Sequence, residues 1–196
     1  MKNKEKLLFI DACIRDDSRT KKIADAALDA LNKNYKVEKI DLTNGDFYPI
    51  DRAMLSQRFN GVVDERMLKY SKMFASADRI VIAAPFWDMS FPSVLKVFFE
   101  NISLLNITFK DDEKECVGLC KAKKLLFITT RGMNIKTGDK LEQASPYIKA
   151  FAHLCGIKRV SVVSAQNLDY VNNDIIKKKL DCAIKKVLKI SEKFWG

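Results

Sequence analysis

The sequence contains no apolar run approaching the ~18 residues that a bilayer span requires, so no membrane span is expected. Histidine is nearly absent: His153 stands alone. With no second cysteine pair beside Cys116 and Cys120, that scarcity argues against a zinc site, and no metal is expected. Cys116 and Cys120 read instead as small core residues. The cysteines number five, at Cys13, Cys116, Cys120, Cys155 and Cys182. An odd count without regular spacing provides no disulfide framework and suits a reducing compartment, so a cytoplasmic location is expected. The apolar stretch Leu7-Leu8-Phe9-Ile10 behind Met1-Lys2-Asn3-Lys4-Glu5-Lys6 is too short for a secretory leader, and no small-residue cleavage site follows it. Only four prolines and a hydrophobic fraction of 47% in 196 residues argue for a folded chain, expected to form one domain over residues 1–196.

Acidic residues are in the minority, 25 against 35 basic ones, for a net charge of +10. The lysines are spread through almost every segment. The densest run, Lys177-Lys178-Lys179 with Lys185-Lys186, shares a helical pattern with Ile176, Leu180, Ile184 and Leu188 on its other face. It reads as a solvated outer helix face, and no nucleic-acid partner is expected. A general positive field would still attract anionic cofactors such as nicotinamide dinucleotides.

Four short, apolar segments rich in branched residues read as buried strands: Leu7 to Asp11, Arg79 to Ala84, Lys124 to Thr129 and Val160 to Ser164. A fifth, Lys36 to Leu42, alternates polar and apolar as an edge strand does. Helical periodicity covers Ser18 to Leu31, Arg66 to Ala77, Pro92 to Leu104, Leu141 to Leu154 and Asn173 to Phe194. A strand about every forty residues, each followed by a helix, predicts a doubly wound α/β sandwich with right-handed crossovers.

In such sheets ligands bind beyond the carboxyl ends of the strands. The loop after the first strand, Asp11 to Thr20, lacks the glycines of a dinucleotide fingerprint and the ending of a P-loop. It offers Ser18 and Thr20 at a helix start, flanked by Arg15 and Arg19. That set suits a phosphate, although Ser18 would equally serve as a plain helix cap. The loop Ala83 to Ser93 holds Phe86, Trp87 and Met89 beside Asp88. Large apolar side chains in a surface loop suit a planar ligand, or packing onto the domain or a second subunit. The third loop, Thr129-Thr130-Arg131-Gly132-Met133, joins a cation to a glycine that permits close approach; a simple turn is the alternative.

Together the three loops resemble those of the flavodoxin-like FMN-dependent NAD(P)H:quinone oxidoreductases and NADH-azoreductases. Ser18-Arg19-Thr20 is similar to the family's Ser-x-Ser/Thr phosphate element. Ala83-Ala84-Pro85 with Phe86-Trp87-Asp88-Met89 looks like its isoalloxazine segment, and Thr130-Arg131-Gly132-Met133 looks like its Ser-Arg-Gly-Gly element. The likeness continues through Leu95-Lys96, Phe99, Thr108-Phe109 and Pro146-Tyr147.

The resemblance implies a flavodoxin-like fold: a doubly wound five-stranded parallel sheet in the order 2-1-3-4-5, with helices on both faces. It implies FMN as cofactor, NADH or NADPH as donor, and a quinone, azo or nitroaromatic acceptor reduced by a ping-pong route. FMN would carry the chemistry, leaving no catalytic side chain to seek. Arg15, Ser18, Arg19 and Thr20 would bind the phosphate. Pro85, Phe86, Trp87, Asp88 and Met89 would surround the rings, and Thr130, Arg131, Gly132 and Met133 would meet the pyrimidine edge. A homodimer is implied, with Phe47, Tyr48 and Phe59 as contact candidates. Three positions depart from the family pattern: Ala12 lacks a hydroxyl, Asp88 replaces an asparagine, and Met133 replaces a glycine. The rival reading is a flavodoxin-like electron carrier or a flavin-free regulator; the basic surface disfavours a carrier.

Overall fold

The structure is a computed structural model and describes residues 4–194. Met1, Lys2 and Asn3 of the segment read for a leader lie outside the described residues.

Five strands form one parallel sheet: β1 (Glu5–Asp11), β2 (Tyr35–Asp41), β3 (Arg79–Ala83), β6 (Lys124–Thr130) and β7 (Arg159–Ala165). Their order is β2-β1-β3-β6-β7. Counting only these five strands along the chain gives 2-1-3-4-5, the order that the resemblance implied. Successive residues of a strand face opposite sides of a sheet, and here both sides are apolar. Leu7 and Phe9 of β1 join one core, packed under α1 (Arg19–Leu31) and α6 (Asn173–Phe194). Leu8 and Ile10 join the other, under α3 (Glu65–Ser76), α4 (Ser93–Ile102) and α5 (Ala144–Leu154). Helices on both faces explain why β1, β3 and β6 read as continuous apolar runs. The chain leaves β2 at one edge and re-enters at β3 across β1, so the sheet's switch point lies between the tips of β1 and β3.

Several features differ from the expectation. β7 is an edge strand and only partly buried, not a fully buried one. Helix α5 starts at Ala144, because Leu141 is exposed and Glu142 caps the first turn by accepting from the Ser145 amide at 2.7 Å. Two elements carry no periodic apolar signal. One is α2 (Arg52–Phe59), which buries none of its residues and is capped by Asp51. The other is the acidic hairpin of β4 (Phe109–Asp111) and β5 (Cys116–Gly118). Cys116 lies exposed on that hairpin, so it is not a core residue as expected, whereas Cys120 is buried. Phe47 turns inward against Phe98, with ring centroids 5.1 Å apart, and packs on the core. Tyr48 and Phe59 remain exposed.

The core between α4 and α5 is aromatic: Phe99 stacks on Phe151 at 4.1 Å and contacts Phe91 edge-on at 6.1 Å. Phe99→Ala is expected to cost about 3–5 kcal/mol in urea unfolding. Tyr170→Ala, at a side chain 76% exposed, is expected to change stability by no more than about 0.5 kcal/mol.

Candidate functional site

Three strand tips and their loops converge on one open cleft of about 200 Å³. Its walls include Arg15, Ser18 and Arg19 from the β1–α1 loop, Pro85, Phe86 and Trp87 from the segment after β3, and Thr130 and Gly132 from the tip of β6. Asp17 and Asp169 complete the lining. The volume lies below the roughly 300–1,000 Å³ of typical small-molecule pockets. A ligand would therefore seat one part at the base and extend along the open side.

The base is a helix N-terminus. Ser18 is the N-cap of α1 and accepts from the Lys21 amide at 3.3 Å, while the Lys22 amide reaches the Ser18 carbonyl at 3.2 Å. The amides of Arg19 and Thr20 find no acceptor among the described residues. Two free N–H groups at the positive end of a thirteen-residue helix are suited to an anion. The Thr20 side chain does not reach the cleft: it is fully buried, its hydroxyl 2.7 Å from that of Thr130. This bond ties α1 to β6 and fixes two of the three loops relative to one another.

Around the base the charges are already paired. Arg15 Nε and Nη2 donate to the Asp17 carboxylate at 2.9 and 2.8 Å. That bond holds the Asp17 carboxyl below its ordinary value and raises the guanidinium of Arg15. Arg19 Nη1 donates to Asp169 Oδ1 at 2.8 Å across the gap to the β7–α6 loop. Cys13, in the β1–α1 loop, has its thiol pushed up to about 12 by burial, which keeps it neutral at ordinary pH.

The second loop projects Trp87 into solvent through a tight turn. Trp87 and Ser90 exchange backbone hydrogen bonds at 3.1 and 2.8 Å. Asp88 and Met89 between them adopt positive φ, 47° and 66°. That geometry favours Asn and Gly, so a β-carbon at both positions stores backbone strain. The Met89 carbonyl accepts from the Gln143 amide at 2.9 Å, which helps hold the turn. The Asp88 and Met89 side chains lie outside the cleft lining.

Arg131 is placed differently from the expectation. Its side chain is fully buried and absent from the cleft wall. It donates to the Ile135 carbonyl at 3.1 Å and to Thr137 Oγ1 at 3.1 Å, lies 3.5 Å from Glu142 Oε1, and sits 5.3 Å from the Phe86 ring centroid. Burial lowers the guanidinium from its ordinary value, and Glu142 opposes that shift. The side chain thus braces Phe86, the loop after β6 and the start of α5 against one another. Met133 is half-buried against the core rather than in the cleft, and its carbonyl accepts from the Asn167 amide at 2.9 Å.

Sequence reasoning missed Asp17 and Asp169. Asp17 lies in the arginine-rich loop after β1, where the basic residues dominate the pattern. Asp169 stands four residues beyond β7, a strand tip that the same rule of loops after strands covers.

A family model described as a flavodoxin-like fold matches residues 5–190. The chain belongs to this flavodoxin-like family. Within it, the FMN-dependent NADH:quinone oxidoreductase 2 of Clostridium perfringens (strain 13 / Type A) is 33% identical over 201 residues, covering 96% of this chain and 99% of its own. The FMN-dependent NADH:quinone oxidoreductase of Coprothermobacter proteolyticus is 31% identical over 200 residues, covering 96% and 99%. Among solved structures, an FMN-dependent NADH-azoreductase from Bacillus anthracis in complex with FMN superimposes with a TM-score of 0.84 at 26% identity, over 98% of this chain and 100% of that one. The family resemblance read from the three loops therefore holds.

Glu142→Leu leaves a guanidinium buried without its carboxylate and is expected to cost about 3–5 kcal/mol in denaturant unfolding. The double variant Arg131→Met/Glu142→Leu is expected to recover most of that loss.

Proposed function

We propose that the chain is a single-domain, FMN-dependent oxidoreductase that moves reducing equivalents from NADH to a quinone, with azo and nitroaromatic compounds as further acceptors. The observation that carries this reading is the start of α1, whose first two amides are unpartnered, set beside a cleft that Arg19, Phe86 and Trp87 line. Relatives matched over nearly their whole length bear the name FMN-dependent NADH:quinone oxidoreductase.

The residues present fit FMN. The Arg19 and Thr20 amides, with Arg15, Ser18 and Arg19, would hold the phosphate by charge-assisted hydrogen bonds. Pro85, Phe86 and Trp87 would flank the ring system, and Thr130 and Gly132 would lie along its polar edge. Bound there, FMN supplies the two-electron chemistry between nicotinamide and acceptor. The protein's part is to bind, orient and exclude competing contacts. Thr20 fixes the spacing between phosphate end and ring end through its bond to Thr130. Buried Arg131 keeps Phe86 and the loop after β6 in register without touching the ligand. The strained Asp88–Met89 turn presents Trp87 at the mouth. At 38% exposure, its indole is free to meet a planar molecule.

We also propose a homodimer. Tyr48, Leu55, Phe59 and Val62 expose apolar side chains on and beside α2, which buries nothing of its own. The Arg58 guanidinium pins this segment to α4 by donating to the carbonyls of Glu100 and Asn101 at 3.1 and 3.0 Å. An apolar patch on a fixed helix suits a self-complementary contact. A cytoplasmic location is part of the same reading, supported by five free cysteines.

Titrating the flavin-free protein with FMN is expected to quench Trp87 fluorescence saturably. Arg15→Ala/Ser18→Ala is expected to weaken binding at least about tenfold, equivalent to roughly 1.4 kcal/mol. No quenching and no binding would contradict the proposal. In light-scattering chromatography the parent chain is expected to run as a dimer and Phe59→Glu as a monomer. A monomeric parent would contradict the dimer.

A further inference from the structure

We infer that Asp169 acts as an internal anion competing with the ligand phosphate for Arg19, and so lowers the affinity of the cleft for phosphate-bearing ligands. The inference rests on the proposed FMN site and concerns a residue that sequence reasoning did not select. Asp169 Oδ1 accepts from Arg19 Nη1 at 2.8 Å, and its own amide donates to the Gly132 carbonyl at 3.2 Å.

Gly132 makes room for this arrangement. A β-carbon built there would fall 1.7 Å from Asp169 Oδ2. The φ of Gly132 is not in the left-handed region, so backbone conformation does not require glycine at this position. What the missing side chain accommodates in this structure is the carboxylate. Asp169 therefore occupies a cleft position beside a guanidinium and over a glycine, a place chemically suited to an acidic ligand.

Arg15 is held in the same way by Asp17. With two arginines and two aspartates paired, the guanidinium charge of the cleft is neutralised from within. Inorganic phosphate entering alone would gain the two free amides of α1 but would have to draw Arg19 from its partner. A flavin mononucleotide brings ring contacts with Trp87 and Phe86 that offset this competition. The same cost falls on any phosphate that takes Arg19, so an ion with no second anchor binds weakly. A ligand anchored at both ends binds despite that cost.

The test is FMN affinity of the purified, flavin-free full chain, measured by fluorescence titration with and without added inorganic phosphate. Asp169→Asn keeps the shape and removes the charge. In phosphate-free buffer it is expected to bind FMN about two- to fivefold more tightly than the parent, the range set by loss of an exposed ion pair. Its FMN affinity is also expected to fall more steeply with added phosphate. In an Arg19→Ala background the Asp169→Asn gain is expected to vanish. Equal or weaker FMN binding by Asp169→Asn would overturn the inference and make Asp169 a support for Arg19. A parent chain that binds no FMN would instead overturn the proposed function, so the two failures are distinct. Thermal unfolding checks that the variants fold, as expected for a side chain 60% exposed.

Discussion

A guanidinium sealed from water holds the cleft in shape. Arg131 stands at the tip of β6 with no solvent exposure, and its contacts join the loop after β6, the start of α5 and the segment after β3. A buried cation is tolerated only where partners replace its hydration. Here those partners are the Ile135 carbonyl, Thr137, Glu142 and the face of Phe86. Because Glu142 also caps α5, the helix start, the loop after β6 and the aromatic segment after β3 are constrained together. The Thr20–Thr130 hydroxyl bond adds α1 to the same frame. The cleft is a property of this frame rather than of any single loop.

Much of the fold was legible in the residues because the central strands are covered on both sides. Phe9 and Ile10 face different cores and both must be apolar, so β1 announces itself as an unbroken run. The edge strand β7 has fewer neighbours to satisfy, and its partial burial was not distinguishable from a buried run by composition alone. Helix α2 was illegible for the opposite reason. Its apolar residues face outward, so no core-facing stripe exists to be read.

The candidate site divides along the same line. Position along the chain located the loops, because strand tips converge in a doubly wound sheet. Side-chain direction was not legible. Arg131 and Thr20 look like ligand-facing groups in the sequence, yet burial and hydrogen bonding turn both inward. Asp169 lies 150 residues from the arginine that it meets, and nothing local signals the pairing. Long-range charge pairing of this kind is what a single sequence conceals. It also changes the electrostatic picture: a loop rich in arginine reads as strongly cationic, whereas the folded cleft has both guanidinium groups matched by carboxylates.

Anaerobic mixing of the FMN-loaded protein with NADH, followed by a quinone such as menadione, tests the central claim most directly. The account predicts that NADH bleaches the visible flavin absorption and that the quinone restores it, with continuous NADH oxidation when both are present. A flavin that stays oxidised in the presence of NADH would contradict it and leave the chain a flavin-binding protein without this enzymatic activity.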